Sequence, residues 1–482
     1  MQQIFDNTSD TICAISTPAG VGGIAVARVS GPDALAVADR IWRGRPLSQA
    51  ATHTAHLGTV LDSMGHPLDQ AVATVFRSPK SFTGEDTVEF SVHGSRYVQR
   101  ELISALTAAG SRLALPGEFT RRAFLSGNID LTQAEAVADI IASESRAQHR
   151  IAISQLKGSF ASRISSLREQ LVEVASLLEL ELDFSEEDVE FASRARLREL
   201  ADGIHRQLSD LRRSYTAGNS IKDGIPVAIV GPTNAGKSSL LNALTDDDRA
   251  IVSDIHGTTR DTIEEILNIG DYRFRLIDTA GIRHSDDAIE RIGIERSRRA
   301  INRARIIIVL NDITRPLDTG IIRSAHEALN RQDPPGHLII ALNKADLTDT
   351  ADGALAAAKS FAGTLGTAVR TGEKNAETQT IAISAVRSDS LRTIQQALLA
   401  AADADASCAV EDIMITNLRQ ANALSDASAA IRRVIGAIDA NLTGDLIAID
   451  LRQAIDHLAA LTGAISSQDI LTSIFSRFCI GK

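Results

Sequence analysis

The sequence predicts a multidomain α/β protein with an N-terminal α+β domain, a helical domain made of two separated segments, and an inserted domain with a mostly parallel sheet. Three observations support this prediction. The chain has 482 residues, which is too many for one hydrophobic core. Helical periodicity occurs on both sides of a central region. That region alternates apolar strands with helical stretches, a pattern typical of a parallel sheet.

The composition is that of an ordinary globular protein, with 44% hydrophobic and 23% charged residues. The formal net charge of −11 excludes an overall basic surface for nucleic acid, although local basic patches are compatible with it. Three scattered cysteines are too few for a disulfide framework or a zinc site. The first residues lack the cationic start of a signal peptide, and no apolar stretch is long enough to span a bilayer. We therefore expect a cytoplasmic protein that does not enter a membrane.

Residues 1–125 are predicted to form the N-terminal α+β domain. A helix is predicted over about Arg96–Ala109, among several short β-type runs. These runs are Thr11–Ser16, Ile24–Val29, Ala71–Phe76 and Thr87–Val92. Two other stretches, 81–86 and 116–122, have compositions too unusual for simple turns.

The helical domain is predicted in the segments 126–218 and 406–482. In the first segment, apolar residues recur every three or four positions over 167–182 and again over 197–211. We expect these two stripes to form an antiparallel helix pair. The acidic run 186–190 between them is interpreted as a solvated loop, and 218–224 as a linker.

The central domain, 219–405, opens with a phosphate-binding motif. The run Gly231–Ser238 fits the pattern G-x-x-x-x-G-K-[ST] and follows an apolar run, Ile225–Val230, that predicts a strand. A helical pattern comes next, so that backbone N–H groups at the helix start would face phosphate oxygens. We expect Lys237 to reach the terminal phosphates and the Ser238 hydroxyl to bind Mg²⁺.

Four further motifs follow in the order expected of a Ras-like domain. Thr259, in the loop Gly257–Asp261, is the predicted second Mg²⁺ ligand, and Asp278 of Asp278–Gly281 is predicted to bind the metal through water. The last two motifs each follow a predicted strand.

These last two motifs, Asn343–Asp346 and Ser384–Ala385, predict the base that is bound. The Asp346 carboxylate can accept both edge N–H donors of guanine, and adenine has no such donor pair. The five motifs together predict a P-loop domain that binds GTP.

Beyond these motifs, the chain resembles the MnmE (TrmE) family, the GTPases of the tRNA wobble-uridine modification system. The stretches that carry the resemblance are Ser81–Asp86, Pro116–Phe119, Leu131–Ala136, Gly257–Asp261, Glu290–Glu295 and Phe478–Lys482. The chain-ending pentapeptide is the most discriminating, because related GTPases lack it. The resemblance covers essentially the whole chain and implies an N-terminal folate-binding-like domain, a discontinuous helical domain and an inserted Ras-like GTPase domain.

The resemblance also implies a reaction and partners. The family acts with a flavin-dependent partner, MnmG, to attach an aminomethyl or carboxymethylaminomethyl group to the five-position of the wobble uridine in certain tRNAs. The carbon comes from a tetrahydrofolate derivative, in its 5-formyl or methylene form. A homodimer with its constitutive contact in the N-terminal domain is implied as well.

For hydrolysis, the resemblance supplies groups that the Ras pattern lacks here. Ile282 stands where Ras-like proteins carry a water-orienting Gln, and it cannot orient water. Glu290 matches the family's water-positioning glutamate. Asn234 is similar to the family's K⁺ ligand, and oxygens of Ser253, Ile255 and Thr258 would complete a site that takes the place of an arginine finger. Two GTPase domains would then meet across the nucleotides.

The predicted site residues form three groups. The nucleotide- and cation-binding group is Asn234, Ala235, Gly236, Lys237, Ser238, Ser239, Ser253, Asp254, Ile255, His256, Gly257, Thr258, Thr259, Asp278, Thr279, Ala280, Gly281, Asn343, Lys344, Ala345, Asp346, Ser384 and Ala385. The folate group implied by the resemblance is Arg28, Glu89, Asn128 and Lys482, with Asn128 at a position that is often Lys in the family. Cys479 alone would be interpreted as an inert buried thiol, whereas the resemblance makes it a candidate participant in the modification chemistry.

Two other functions compete with a tRNA modification enzyme. A ribosome-assembly GTPase would share the nucleotide motifs but is expected to carry an RNA-binding module beside them, and the sequence offers no convincing candidate. A membrane-remodelling GTPase predicts a basic or amphipathic lipid-binding face, which the acidic balance argues against.

Overall fold

The computed structural model describes residues 10–183, 194–249, 264–277, 298–348, 351–367, 375–407, 413–465, 468–476, 478 and 481. Contacts divide the chain into two compact units. The first unit takes its residues from Met1–Ala138, Leu156–Ala161 and Ala459–Lys482, and the second from Asp139–Gln155 and Ser162–Leu458. The domain boundaries drawn from sequence cut the chain differently and stay predictions.

The first unit is built on a seven-stranded sheet. Its strands are β1 (Ile12–Ile15), β2 (Ala25–Ser30), β3 (Trp42–Arg43), β4 (Thr54–Leu61), β5 (Pro67–Phe76), β6 (Thr87–Val92) and β7 (Arg112–Leu113). The spatial order is β3-β4-β5-β6-β2-β1-β7, antiparallel except for the β1–β7 pair. The sequence analysis predicted β1, β2, β5 and β6 but missed β4 and the two-residue strands β3 and β7.

One face of this sheet carries the hydrophobic core of the first unit. Helices α1 (Ala34–Arg40) and α2 (Arg96–Ala108) cover it, and Phe90, Leu102 and Leu106 are fully buried there. The opposite face displays Arg28 and Glu89, which are paired across β2 and β6. Because side chains alternate along a strand, the core on one face fixes which residues the other face presents.

A further helix of the first unit, α3 (Glu118–Leu125), packs near the chain's C-terminal segment. It begins after Gly117, whose φ of 67° is left-handed and whose added Cβ would lie 2.5 Å from the Phe475 carbonyl oxygen. Only glycine allows this approach. Helices α4 (Leu131–Ala142) and α14 (Gln468–Phe475) pack their apolar residues into the same cluster.

The second unit contains a six-stranded sheet in the order β13-β12-β11-β8-β10-β9. Its strands are β8 (Ile225–Val230), β9 (Glu265–Ile269), β10 (Tyr272–Leu276), β11 (Ile306–Asp312), β12 (His337–Asn343) and β13 (Glu377–Ala382). All pairs are parallel except β9–β10, as the sequence predicts for a mostly parallel sheet. Helices α8 (Lys237–Arg249), α9 (Thr319–Asn330), α10 (Ala351–Thr367) and α11 (Ser388–Ala406) accompany it.

The remaining helices are α5 (Arg146–Leu156), α6 (Ser159–Asp183), α7 (Arg194–Asp223), α12 (Leu418–Asp439) and α13 (Gly444–Thr462). Helix α7 packs most extensively along α12, with Arg198 bonded to Asp439 and His205 near Ser428. The predicted pairing of α7 with the preceding stripe therefore missed its main partner, because an apolar stripe shows that a helix is buried but not against what. The acidic run 186–190 lies outside the described residues.

The interpretation of 218–224 as a linker is wrong, because α7 continues through this range to Asp223. Gly218 is buried in the helix, and an added Cβ would lie 2.2 Å from the Ile415 carbonyl oxygen. The glycine therefore serves close packing between two backbone segments and does not break the helix. None of the helices in the described ranges is long and apolar enough to cross a membrane.

Candidate functional site

The phosphate-binding motif lies at the carboxyl end of β8, between the strand and α8. Gly231 has a φ of 151°, and its added Cβ would lie 2.1 Å from the Leu310 carbonyl oxygen. Gly236 has a φ of 96°, and its added Cβ would lie 2.2 Å from the Asn343 Nδ2 atom. Both ends of the loop thus require glycine, since any side chain would collide with neighbouring groups of the sheet edge.

Lys237, the first residue of α8, folds back over this loop. Its Nζ donates to the carbonyl oxygens of Gly231 at 2.9 Å and Pro232 at 2.8 Å. Burial lowers the pKa of Lys237. Two neutral carbonyls compensate an ammonium poorly, so this position favours the arrival of an anion.

The loop presents its other predicted ligands from the same strand–helix junction. Asn234 is exposed with a φ of 63°, a left-handed conformation that Asn tolerates better than most residues. Ala235 is buried, while Ser238 and Ser239 lie in the first turn of α8. The Asn234 side-chain amide and the Ser238 hydroxyl each offer an oxygen atom as a metal ligand, and oxygen is the ligand type that K⁺ and Mg²⁺ prefer.

Asn343, at the end of β12, joins three of the predicted motifs. Its side chain is 2% exposed. The Nδ2 atom donates to the Ala235 carbonyl oxygen at 2.8 Å, and the Oδ1 atom accepts from the Ala385 N–H at 2.9 Å. The phosphate loop, the Asn343–Asp346 motif and the Ser384–Ala385 motif therefore meet at one edge of the sheet, as their sequence positions predicted.

The next residue, Lys344, is held by an acid that the sequence analysis did not single out. Lys344 has a φ of 65°, and its Nζ lies 2.7 Å from Asp312 Oδ2. Burial alone would raise the pKa of Asp312, but the Lys344 ammonium and two hydrogen bonds from Thr314 lower it to about 2. The signal for Asp312 was its place at the end of a buried parallel strand, next to the strand that carries Asn343.

Asp346, the residue predicted to bind guanine, is exposed just beyond this pair. Its pKa is lowered, first by the Ser384 side chain and then by a backbone N–H. Asp346 is therefore ionised at neutral pH and accepts hydrogen bonds only, which suits a ligand with two adjacent N–H donors. Ala345 lies between Lys344 and Asp346 in a short 3₁₀ turn.

A cleft of about 410 Å³ adjoins the phosphate loop at Pro232 and Thr233. Its other wall comes from the end of β11, including Asn311, and from the segment that follows it, including Arg315. The Asn311 Nδ2 atom is buried there without a hydrogen-bond partner among the described residues.

The remaining predicted nucleotide and cation ligands lie outside the described residues. These are Ser253, Asp254, Ile255, His256, Gly257, Thr258, Thr259, Asp278, Thr279, Ala280 and Gly281, together with the predicted catalytic residue Glu290. In the sequence, β9 begins shortly after Thr259, and β10 ends just before Asp278. Their roles stay predictions.

The first unit holds a second candidate site on the open face of its sheet. The Arg28 Nε atom donates to Glu89 Oε1 at 2.8 Å, with side chains 19% and 25% exposed. The guanidinium carbon lies 5.7 Å from the centre of the Phe82 ring and 5.4 Å from that of Phe119. Arg28 and Glu89, which were predicted separately, thus form an ion pair, and the two aromatic residues beside it were missed.

The other predicted folate residues relate differently to this pair. Asn128 donates through Nδ2 to the carbonyl oxygens of Ser81 at 3.0 Å and Phe82 at 3.3 Å, so that its amide nitrogen fastens the segment that carries Phe82. Cys479 and Lys482 lie outside the described residues. Gly481, between them in sequence, accepts a hydrogen bond from Ser16 Oγ through its carbonyl oxygen at 3.1 Å.

Known proteins resemble this chain over nearly its whole length. A family profile described as "MnmE helical domain" matches residues 131–479, more than half of the chain, and one described as "GTP-binding protein TrmE N-terminus" matches residues 11–128. A protein from Parabacteroides distasonis, named tRNA modification GTPase MnmE, is 47% identical over 477 residues, covering 98% of this chain and 100% of its own length. A protein of the same name from Porphyromonas gingivalis is 45% identical over 487 residues and is covered completely, as is this chain.

Among solved structures, the G domain of the T. maritima FeoB iron transporter resembles part of this chain. It is 22% identical and covers 37% of this chain and 98% of its own, with a TM-score of 0.25. An overlap this loose carries no argument about function.

Proposed function

This chain belongs to the MnmE family of tRNA modification GTPases, and we propose that it is a K⁺-activated GTP hydrolase of wobble-uridine modification. It is a GTP hydrolase in tRNA modification, as its relatives are named. The finer proposal adds Mg²⁺, K⁺, a tetrahydrofolate one-carbon donor, a flavin-dependent partner of the MnmG type and a homodimer. The observation that carries the nucleotide part is the Asn343 side chain, which ties three nucleotide-binding motifs together.

In the proposed nucleotide site, each described residue has a separate task. The Lys237 ammonium exchanges its two loop carbonyls for phosphate oxygens and neutralises charge on the terminal phosphates. The Asp346 carboxylate accepts the two edge N–H donors of guanine. Asn343 keeps the phosphate loop and the guanine-binding loops at a fixed separation, which aligns the triphosphate for in-line attack.

The cation part of the proposal rests on the oxygen donors available. Ser238 and Thr259 would hold Mg²⁺, with Asp278 reaching it through water, and Asn234, Ser253, Ile255 and Thr258 would hold K⁺. These cations, when bound, would supply positive charge near the charge that develops on the transferred phosphoryl group. Glu290 would orient the attacking water, the task that Ile282 cannot perform.

A comparison of salts tests the K⁺ proposal. GTP hydrolysis should be faster in KCl than in NaCl at equal ionic strength, and Asn234→Ala should remove the difference, because the ligand oxygen is lost. Asn242→Ala is the matched control, since it removes an exposed side-chain amide of α8 that is assigned to no nucleotide or cation. Equal turnover of the wild type in both salts would reject K⁺ activation.

The open face of the first unit supports the folate part. Arg28 is anchored by Glu89, and its guanidinium carbon lies within 6 Å of the centres of two aromatic rings, so the guanidinium is arranged in advance for an anionic or carbonyl group. Glu89 would accept pterin N–H donors, with Asn128 and Lys482 completing the site. Cys479 would take part in the modification chemistry, and Cys479→Ser should impair modification while sparing GTP hydrolysis.

The homodimer is proposed to form through the first unit. Leu57 and Val72 are directly paired on β4 and β5, and their side chains are 69% and 38% exposed. Adjacent apolar side chains on an open sheet face favour burial against a second copy.

Mass analysis of tRNA nucleosides tests the whole proposal. Purified protein, unmodified tRNA, GTP, a 5,10-methylene-tetrahydrofolate donor, ammonium or glycine as the source of the amine nitrogen, and an MnmG-type flavoprotein should together modify the wobble uridine, and omission of either protein should abolish the product. Unchanged wobble uridines in the tRNA of cells that lack this gene would reject the function, as a ribosome-assembly GTPase would predict.

A further inference from the structure

The structure gives a joint explanation for two stretches that looked unusual in the sequence, 81–86 and 116–122. Each contributes one aromatic ring beside Arg28, Phe82 from the first and Phe119 from the second. Each also contributes charged groups to a single ionic cluster. The two stretches therefore meet on the same side of the sheet and act on the same residue.

Arg122 lies at the centre of this ionic cluster and is 3% exposed. Its Nη2 donates to Asp10 Oδ1 at 2.6 Å and to Glu118 Oε1 at 3.1 Å. Its Nη1 donates to Glu85 Oε1 at 3.0 Å and to the Asp10 carbonyl oxygen at 2.7 Å. One planar guanidinium thus connects three acids, a geometry that an ammonium cannot reproduce.

Glu85 is the acid through which Arg122 reaches the segment 81–86. Besides Arg122, its carboxylate accepts from Ser30 Oγ at 2.7 Å. Ser81 Oγ donates to the Glu85 carbonyl oxygen at 2.5 Å, which closes the segment on itself. Glu85 is therefore one anchor of the segment that carries Phe82, and the buried Thr83, whose hydroxyl lies 2.7 Å from Ser30 Oγ, is another.

A neighbouring arginine, Arg112, shares part of this cluster and provides a natural comparison. Its guanidinium bonds to Asp10 at 2.6 Å and to Glu118 at 2.6 Å and 2.9 Å. None of the described contacts joins Arg112 to Glu85. Like Arg122, Arg112 therefore bonds to Glu118 at the start of α3 and to Asp10 just before β1. Unlike Arg122, it does not hold the segment 81–86.

We propose that Arg122, acting through Glu85, is a positioning residue that fixes the segment 81–86 and thereby holds Phe82 against Arg28 in the one-carbon donor site. This inference rests on the proposed folate function of that site. Without the Arg122–Glu85 bonds, the segment would keep its Asn128 contacts at one end but lose its anchor to the second stretch. Phe82 would then leave one face of the Arg28 guanidinium uncovered.

Binding of 5-formyl-tetrahydrofolate, measured by calorimetry on the full chain, tests the inference. Arg122→Lys and Glu85→Gln should each weaken binding about tenfold, because the donor site is no longer held in advance. Arg112→Lys, the control, should change binding less than about twofold, and it should lower thermal stability less than Arg122→Lys does, because Arg112 is more exposed. Intrinsic GTP hydrolysis in KCl should be unchanged in all three variants, which verifies that the second unit is intact. Far-ultraviolet circular dichroism verifies that each variant is folded.

Hydrogen exchange in the absence of folate is a second test, because a general loss of stability would not be confined to the amides of one segment. Amides of 81–86 should exchange faster in Arg122→Lys than in the wild type and should be unaffected in Arg112→Lys. Wild-type affinity in Arg122→Lys, or equal losses of affinity in Arg122→Lys and Arg112→Lys, would overturn the positioning role. If the wild type itself does not bind 5-formyl-tetrahydrofolate, the donor site is rejected and the inference falls with it.

Discussion

Both ends of the six-stranded sheet hold charged side chains, but the two ends use them differently. At the carboxyl end, the Lys237 ammonium rests on two neutral carbonyls, and Asp346 is exposed. At the amino end, Arg305, His337 and Asp405 are all buried and bonded to one another. The first end keeps charge available for a ligand, whereas the second satisfies its charges internally.

Asp405 shows how complete the compensation is at the amino end. Arg305 donates to both of its carboxylate oxygens, and His337 Nε2 lies 2.9 Å from Oδ1. Burial opposes the charge of Asp405, but the Arg305 and His337 bonds outweigh it and lower the pKa of the carboxyl group. The comparison indicates that the residues that stabilise the sheet and those that are predicted to bind the ligand lie at its opposite ends. Substitutions at one end should therefore change stability without changing binding, and substitutions at the other end should do the reverse.

The largest expected effect comes from breaking the amino-end cluster. Arg305→Met leaves Asp405 charged and buried without its main partner, so the free energy of unfolding should fall by about 3–5 kcal/mol. Urea denaturation followed by circular dichroism measures it. Adding Asp405→Leu should recover most of the loss, because the buried charge is then removed as well. A single variant as stable as the wild type would show that the cluster is not a stabilising unit.

The next largest effect comes from the carboxyl end and should spare stability. Lys237→Ala should lower GTP hydrolysis at least about 100-fold, because the phosphates lose their nearest positive charge. Its denaturation midpoint should stay within error of the wild type, since only two loop carbonyls lose a donor. Lys359→Ala, an exposed lysine on α10, is the control for both measurements. A large loss of stability in Lys237→Ala would end the contrast between the two ends.

The loss of stability in Asn343→Ala should lie between the losses in Arg305→Met and Lys237→Ala, because the Asn343 side chain serves both binding and structure. Removing it leaves the Ala235 carbonyl and the Ala385 N–H buried without partners, which should cost about 1–3 kcal/mol of stability. GTP affinity, measured by fluorescent-nucleotide titration, should fall about tenfold as the loops separate. Asn343→Asp keeps the acceptor for Ala385 but places a buried carboxylate oxygen against the Ala235 carbonyl oxygen, so a loss at least as large is expected. No loss of affinity in either variant would mean that the loops hold their places independently.

The sequence predicted the carboxyl end well because its chemistry is local. The Gly231–Ser238 pattern, the apolar strand before it and the helix after it are continuous in the chain, and all lie where predicted. Parallel strands place their carboxyl ends at one edge, so the motifs after β12 and β13 had to approach the same loop. Asp312 was missed because a single acid at the end of a strand belongs to no sequence motif, and its position next to the strand that carries Asn343 was the one signal available.

The amino-end cluster could not be predicted for a related reason. Arg305 and Asp405 are 100 positions apart, and nothing in either local sequence indicates the other. The same limit explains why Phe82 and Phe119 were not linked to Arg28, and why α12 was not recognised as the main partner of α7. Periodicity identifies which face of an element is buried, whereas contacts between distant elements depend on topology.

The smallest predicted effect concerns Asp312, which lies at the carboxyl end of the sheet. Its charge is paired within the protein, with Lys344, as the charges at the amino end are. The pKa of Asp312 in the folded state is about 2, below its ordinary value of 3.8. The ionised carboxylate therefore stabilises the folded state at pH values above 3.8, and this contribution is lost as the pH falls toward 2. Asp312→Asn should therefore cost on the order of 2 kcal/mol near neutral pH, and the difference should narrow between about pH 5 and pH 3. Arg315→Ala, which removes a mostly exposed arginine 3.9 Å from the same carboxylate, should have little effect at either pH. A difference that stays constant with pH would assign the loss in Asp312→Asn to the Thr314 hydrogen bonds and not to the charge on Asp312.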